Sequence, residues 1–346
     1  MGSTIKSQSC DLPQAFLTGF GRGRRELVDR FDYAIYRYLS PDGFIRFWGA
    51  RRSIDPRVSV REIAEKVGLS EAGTRVRLKS LKERGILHGS ETWLNPSVFG
   101  ASLVVVEVPV REASEAKQLL QELSLVDGVT FARDILDEQD RKVRVHYISD
   151  NVSSTARRTS LIRRLSPTGA LRGPTPYWIP ACSRNLSPLD WRLLEAFRSR
   201  PDSTLARFAK EVGVSLKTTA SRFHALLDSY ACWWTPDGES EEMPLALLSI
   251  SIQEGGDRPG VAREVAQQNP SWMPVAPDGF GVPPATPNSP LVGLVPAEGP
   301  AAVERTVHNS SGIQGVVNVR RTFALGSAGY SQWYDEGLAR KVRSPS

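Results

Sequence analysis

An α+β architecture, built twice along one chain of 346 residues, is what this sequence predicts. Three observations predict it. The composition is that of a globular protein, 40% hydrophobic and 24% charged, at a length that suits more than one domain. The sequence matches itself without a gap at a shift of 145 residues, from Glu62 through Val108. Each copy opens with short capped helices and continues with alternating strands and helices.

The repeat is clearest where "EIAEKVGLS" (Glu62–Ser70) falls on "RFAKEVGVS" (Arg207–Ser215) and "ASLVVVEV" (Ala101–Val108) on "ALLSISIQ" (Ala246–Gln253). A period this long indicates two domain-sized units and not a solenoid.

The pattern predicts an opening helix over Leu27–Leu39 in the first copy and Pro188–Arg198 in the second. Ser187 is a natural N-cap there, with Pro188 at the first helical position. A short helix follows, Val60–Val67 or Leu205–Val212, ended by Gly68 or Gly213, which take the left-handed conformation easily. Ser70 or Ser215 then caps a third helix, Glu71–Arg84 or Leu216–Ser229. Thr74, Leu78 and Leu81 lie on one stripe of it and face the core. Gly85 is expected to stop it, and "ILHGSETWL" (Ile86–Leu94) to turn back as a hairpin. Three helices and a hairpin make a winged helix-turn-helix.

The rest of the first copy reads as strand Ser102–Pro109, helix Ala113–Leu123, strands Thr130–Leu136 and Lys142–Ile148, helix Val152–Leu165 and strand Thr175–Pro180. The order βαββαβ predicts a ferredoxin-like sheet with both helices on one face. The second copy repeats it over Leu245–Ile252, Val261–Gln268, Ser271–Val275, Pro290–Val295, Ala301–Ser310 and Val316–Ala324, with a Pro/Gly-rich loop at Val275–Pro290. The expected divisions are a flexible basic leader (1–24), winged helix-turn-helix 1 (25–100), ferredoxin-like domain 1 (101–183), winged helix-turn-helix 2 (184–244), ferredoxin-like domain 2 (245–326) and a loosely ordered C-terminal tail (327–346).

Charge separates the copies. Residues 1–180 hold 28 Lys and Arg against 21 Asp and Glu, whereas residues 181–346 hold 16 against 17. A basic first half directs attention to a polyanion. The three cysteines, Cys10, Cys182 and Cys232, are far apart and in no CxxC pattern, which points to neither a disulfide framework nor a metal site. No apolar run approaches the ~18 residues that a membrane helix needs. The N-terminus has no signal-peptide core, so the cytoplasm is the expected location.

A winged helix-turn-helix followed by a ferredoxin-like domain resembles the Lrp/AsnC family of transcription regulators. The likeness is sharpest at Ser70, Thr74, Arg77, Leu78, Leu81 and Gly85, and returns at Ser215, Thr219, Arg222, Phe223 and Leu226, with Tyr230 in place of the glycine. Together the copies cover approximately residues 25–325, like a fused dimer of such regulators. The resemblance implies double-stranded DNA as partner, pairing through the sheet domains, and no cofactor or enzymatic activity. A homodimer, and a small-molecule effector at the ferredoxin-like domains, are further candidate partners. Two departures stand out. "GFIRFWGARRSIDPR" (Gly43–Arg57) is an insertion, and Asp137 stands where the family's effector loop carries glycine, with Asp140 after it.

A helix of ~10–12 Å diameter fits the major groove, so the outward face of Glu71–Arg84 is the expected contact. The residues expected at DNA are Ser70, Gly73, Arg75, Val76, Arg77, Lys79 and Lys82, with Lys217, Thr218, Ser221 and Arg222 in the second copy. Arg75 is the candidate base reader, and Lys79 and Lys82 suit phosphates. Arg77 flanks the inward stripe, where its head could reach a carboxylate or phosphate. Charges at this spacing are also common on solvated helices. Gly19–Arg25 suits a basic arm or a plain leader, and Phe44, Phe47 and Trp48 of the insertion, interleaved with Arg46, Arg51 and Arg52, suit packing over the helices or a second DNA contact. Arg157, Arg158, Arg163 and Arg164 suit the exposed side of their helix. The competing functions are a tetrapyrrole enzyme like the sirohaem decarboxylases, which share this layout, and an interaction adaptor. Against the enzyme, the chain holds only four histidines, and His146 beside Tyr147 reads more simply as structural.

Overall fold

The structure, a computed structural model, describes residues 31–32, 35, 59–84, 87, 89–137, 140–177, 179, 181–237, 245–269, 273–275, 290–296 and 300–343. The leader, the insertion, Gly85 and most of the Val275–Pro290 loop lie outside them, as does all but three residues of the expected opening helix.

Helices α1 (Val60–Val67) and α2 (Glu71–Glu83) form as the caps dictate. The Ser59 hydroxyl accepts from Glu62 N and the Ser70 hydroxyl from Gly73 N, while Gly68 ends α1 at φ +71°. Strand β1 (Gly89–Leu94) follows, and after it the first sheet unit: β2 (Ser102–Val110), α3 (Ala113–Glu122), β3 (Val129–Asp137), β4 (Arg141–Ser149), α4 (Val152–Leu165) and β5 (Arg172–Tyr177). The second half repeats this order. It has α5 (Pro188–Ser199), α6 (Leu205–Val212), α7 (Leu216–Asp228), β6 (Cys232–Asp237), β7 (Leu245–Ile252), α8 (Arg258–Gln268), β8 (Met273–Val275), β9 (Leu291–Pro296), α9 (Pro300–Ser311) and β10 (Val316–Gly329). Ser187 and Asp190 form a reciprocal capping box at the start of α5. After α7, Tyr230 adopts φ +59°, the left-handed conformation that favours glycine.

Eight strands form one antiparallel sheet in the order β5-β2-β4-β3-β10-β7-β9-β8. Within each half the strands run fourth, first, third, second, which is the ferredoxin-like order. The halves meet through β10. Its Val316–Ala324 segment pairs with β7 and its Thr322–Gly329 segment with β3. Each half has its own core. One gathers Val104, Val106, Val108, Val143, Val145 and Tyr147 under α3 and α4 through Leu119 and Ile162. The other gathers Ala246, Leu248, Ile250 and Phe323 under α8 and α9 through Val265 and Val303.

Two expectations are corrected. Among the described residues of Ile86–Leu94 there is no hairpin: β1 pairs with β6 of the other half, from Gly89↔Asp237 to Leu94↔Cys232. That register is symmetric under the 145-residue shift, since Gly89 pairs with the counterpart of Thr92, and Thr92 with the counterpart of Gly89. A six-residue strand alone leaves its backbone groups unpaired, and the equivalent strand satisfies them. The tail expected over 327–346 is also more ordered than its sequence suggests. Its first residues complete β10, and Gln332–Arg343 form helix α10. Trp333, Tyr334 and Leu338 are buried with Trp191, Leu194 and Phe197 of α5, and Phe99 stacks edge-on to Trp333. Apolar area removed from water offsets the loss of chain freedom there. The same core reaches Leu103 and Ile148, so the second head is seated on the side of the first sheet away from α3 and α4.

On that side, His146 is buried between Phe131 and Tyr177, with ring centroids 5.7 and 5.1 Å away. Burial, with the Arg144 and Arg133 guanidiniums nearby, pushes its imidazole down to about 3. An unfolded chain takes up that proton near pH 6.5 and the folded chain does not, so the associated stability is complete above pH 6.5 and is lost as pH falls toward 3. Urea unfolding of the wild type should lose about 2 kcal/mol from this site between pH 7 and pH 5. The His146→Phe variant should lack that component, and identical pH slopes for the two proteins would refute the assignment.

Candidate nucleic-acid interface

The first head turns one face of α2 to its core and leaves the other in solvent. Thr74 and Leu81 are buried, whereas Glu71, Ala72, Arg75, Val76, Lys79, Lys82 and Glu83 are exposed. The helix packs on α1, so a duplex can approach the outward side.

The cations on this face are only loosely held. Arg75 lies 3.5 Å from Glu71 and Lys79 3.6 Å from Glu83, with the basic side chains 66% and 76% exposed. Such surface pairs at four-residue spacing are worth about 0.3–0.5 kcal/mol, so phosphate can displace them. Lys82 has no ion pair among the described residues. Ser70 is committed as N-cap through its oxygen. A Cβ on Gly73 would stand 3.2 Å from that oxygen, so glycine keeps the helix start narrow.

Of the two places open to Arg77, a carboxylate or a phosphate, the structure shows the carboxylate, and Arg222 repeats the arrangement. Arg77 Nη1 donates to Asp32 Oδ1 at 2.9 Å, and its guanidinium lies over the Phe31 ring. Arg222 Nη1 reaches both carboxylate oxygens of Asp190 at 3.3 Å. Asp190 is fully buried and also accepts from Arg184 and from the Ser187 amide and hydroxyl. Each arginine therefore ties its recognition helix to the opening helix of its own head. The sequence carried a signal for this. An arginine stands seven residues after the capping serine in both copies, and each copy also has an aspartate on its opening helix.

In the second head, Leu216, Lys217, Ser221 and His224 of α7 are exposed, and Thr218 is half-buried with its hydroxyl 2.8 Å from that of Ser215. This face carries one lysine where α2 carries three cations. Arg158, expected on an exposed side, is buried. It donates to the Asp127 and Ile148 carbonyls and to the Asp127 and Asp150 carboxylates, which locks α4 to the ends of β3 and β4. Asp137 and Asp140, at the β3–β4 turn, are engaged within the chain. Lys142 Nζ lies 2.6 Å from Asp137 and 3.4 Å from Asp140, and Arg172 lies 2.6 Å from Asp140.

Comparison with known proteins agrees with this geometry. A family model described as winged helix-turn-helix DNA-binding matches residues 54–87. The HTH-type transcriptional regulator LrpA of Pyrococcus horikoshii is 38% identical over 103 residues, covering 25% of this chain and 73% of that protein. The chain belongs to the Lrp/AsnC family of transcription regulators. Another Lrp/AsnC-type relative, the regulator Ptr1 of Methanocaldococcus jannaschii, is 28% identical over 114 residues, covering 33% of this chain and 68% of that one. Among solved structures, the siroheme decarboxylase NirDL in complex with an iron-uroporphyrin III analogue aligns over 90% of this chain and 99% of its own, with a TM-score of 0.48 at 12% identity. The Mycobacterium tuberculosis leucine response regulatory protein aligns over 42% of this chain and 87% of its own, with a TM-score of 0.28 at 20% identity. Neither structural likeness bears on activity. Among the described residues no helix is long and apolar enough to cross a membrane, and no group of three or more His, Cys, Asp or Glu is placed to hold a metal ion.

One residue of this Lrp/AsnC head sits in an unfavourable environment. Among the described residues the buried Thr74 hydroxyl has no hydrogen-bond partner, whereas its counterpart Thr219 donates to the Ser215 carbonyl at 3.1 Å. An unsatisfied buried hydroxyl costs about 1–3 kcal/mol. Thr74→Val, of nearly the same shape, should therefore raise the unfolding free energy by about 1 kcal/mol, and Thr219→Val should leave it unchanged or lower it. Chemical denaturation of both variants decides this: a destabilised Thr74→Val protein would show that the hydroxyl is satisfied in solution.

Proposed function

We propose that the chain is a sequence-specific DNA-binding transcription regulator that sets α2 in the major groove of a duplex. The observation that carries this reading is the outward face of α2, which presents Arg75, Lys79 and Lys82 to solvent while Arg77 is withdrawn into the head. Affinity comes chiefly from lysine and arginine contacts to phosphate with release of counterions. Specificity comes from the few side chains that reach base edges. Arg75, one turn from the helix start, serves as the reader of a guanine O6/N7 pair. Lys79 and Lys82 neutralise phosphates, and the start of α2, kept narrow by Ser70 and Gly73, offers a phosphate the amides of Glu71 and Ala72, which the cap leaves free.

This reading divides the chain into heads at 25–100 and 184–244 and ferredoxin-like units at 101–183 and 245–326, with α10 serving the second head. The β1–β6 ribbon and the shared β10 join two unequal heads in one molecule. The matching operator is asymmetric, with half-sites about one helical turn (~34 Å) or a multiple of it apart. The first half-site dominates, and Lys217, Thr218 and Ser221 make the lighter contacts at the second. The Asp137–Asp140 turn takes no part, because its acids are held by Lys142 and Arg172.

Fragments selected from genomic DNA at stated salt supply the operator for the test. Arg75→Ala should weaken operator binding by about 1–3 kcal/mol and random-duplex binding by much less. Equal losses on both would remove its base-reading role. Lys79→Ala and Lys82→Ala should each lower the slope of log K against log salt by about 1, and an unchanged slope would take that lysine off the interface.

A further inference from the structure

The recognition face of α2 is cationic except at its centre. Thr74 and Leu81, both buried, mark the inward direction. At about 100° per residue, Ala72 lies about 160° from Thr74, Val76 about 200°, Lys79 about 140° and Arg75 about 100°. Ala72, Val76 and Lys79 thus all point away from the core, and Val76 is the large aliphatic among them, with Arg75 and Lys82 on one flank. It is 68% exposed, one of only a few large aliphatic side chains so placed among the described residues. A single exposed aliphatic is ordinary on a protein surface, so its position is what informs. The neighbours able to fill the same groove are Ala72, which is too short to compete, and Lys79, which can bend toward a phosphate.

We infer that Val76 reads the C5 methyl group of a thymine in the first half-site, an inference that rests on the DNA reading proposed above. The major groove offers this aliphatic side chain one apolar group, the thymine methyl. A β-branched side chain holds its two methyl groups stiffly, so the contact needs little further ordering. Arg75, the preceding residue, reaches the polar edge of an adjoining base pair. The second head does not repeat the device. A shift of 145 residues puts Ser221 in the place of Val76, and a hydroxyl accepts either base. The thymine requirement therefore belongs to one half-site only and fixes the orientation of the chain on its operator.

The test uses the full chain and the selected operator, with each thymine replaced in turn by deoxyuridine, which removes the methyl and nothing else. One uracil in the first half-site should weaken wild-type binding about fourfold, the change that corresponds to about one methyl group taken out of water. The same uracil should have no effect on Val76→Ala, whose affinity for unmodified operator should already be lowered by a similar factor. Val76→Thr, which keeps one methyl, should retain part of the uracil effect. If specific, salt-dependent binding is present but no uracil position distinguishes wild type from Val76→Ala, the thymine assignment fails while the DNA reading stands. If no duplex is bound above background, both fall.

Discussion

Two short strands, β1 and β6, have no partner in their own halves among the described residues, and much of the molecule's arrangement depends on their finding each other. Each carries six residues of backbone donors and acceptors, and an isolated strand of that length cannot persist in water. The cheapest satisfaction is the equivalent strand of the other copy, because a pairing symmetric under the repeat lets both strands use one register. The ribbon thereby binds the two heads together. It also removes the strand that would have formed a wing, and it brings Thr92 to the Phe197 carbonyl and Arg198 to the Thr92 carbonyl.

Around that ribbon the two halves are unequal. The second head has a thick core in which Phe197, Phe208 and Phe223 meet edge-on, backed by α10 and by Leu103 and Ile148 of the first sheet. Its recognition helix carries little charge. The first head buries Ile63, Ala64, Leu81 and Leu87 among its described residues and presents the cationic face. Packing and charge have gone to different heads. One is seated firmly on the sheet and the other offers its cations to a polyanion. In both, an arginine that could have served the ligand holds the recognition helix against the opening helix.

Helix ends were legible because caps are local. Ser70, Gly68, Ser187 and Gly213 each act within a few residues of themselves, and the structure places them at the termini expected. The ferredoxin-like unit was legible because its elements succeed one another as βαββαβ, with β4 alternating Val143, Val145 and Tyr147 with polar residues. The outward set Arg75, Val76, Lys79 and Lys82 followed from the period of the helix, given Thr74 and Leu81 as the inward stripe. Which acids Arg77, Arg222 and Arg158 meet was not legible, because an arginine's partner is chosen by what the fold brings within ~3 Å. Asp32 and Asp190 are remote from Arg77 and Arg222 in the chain. Helix α10 was missed because its apolar residues, Trp333, Tyr334 and Leu338, are few, and their purpose is visible only beside Trp191 and Phe99.

The sequence by itself determined the helices and strands of the two sheet units and the capped helices before them, that the pattern occurs twice, and which side of α2 is cationic. All of these are properties of spacing along a chain, set by periodicity and by caps that reach no further than a turn. Only the tertiary structure decided that β1 pairs across the repeat, that β10 serves both sheet units, that α10 closes the second head, and that Arg77 and Arg222 face inward. Those outcomes depend on distances between residues tens to hundreds of positions apart, where unpaired backbone groups, buried charges and exposed aromatic rings find partners that local spacing cannot specify.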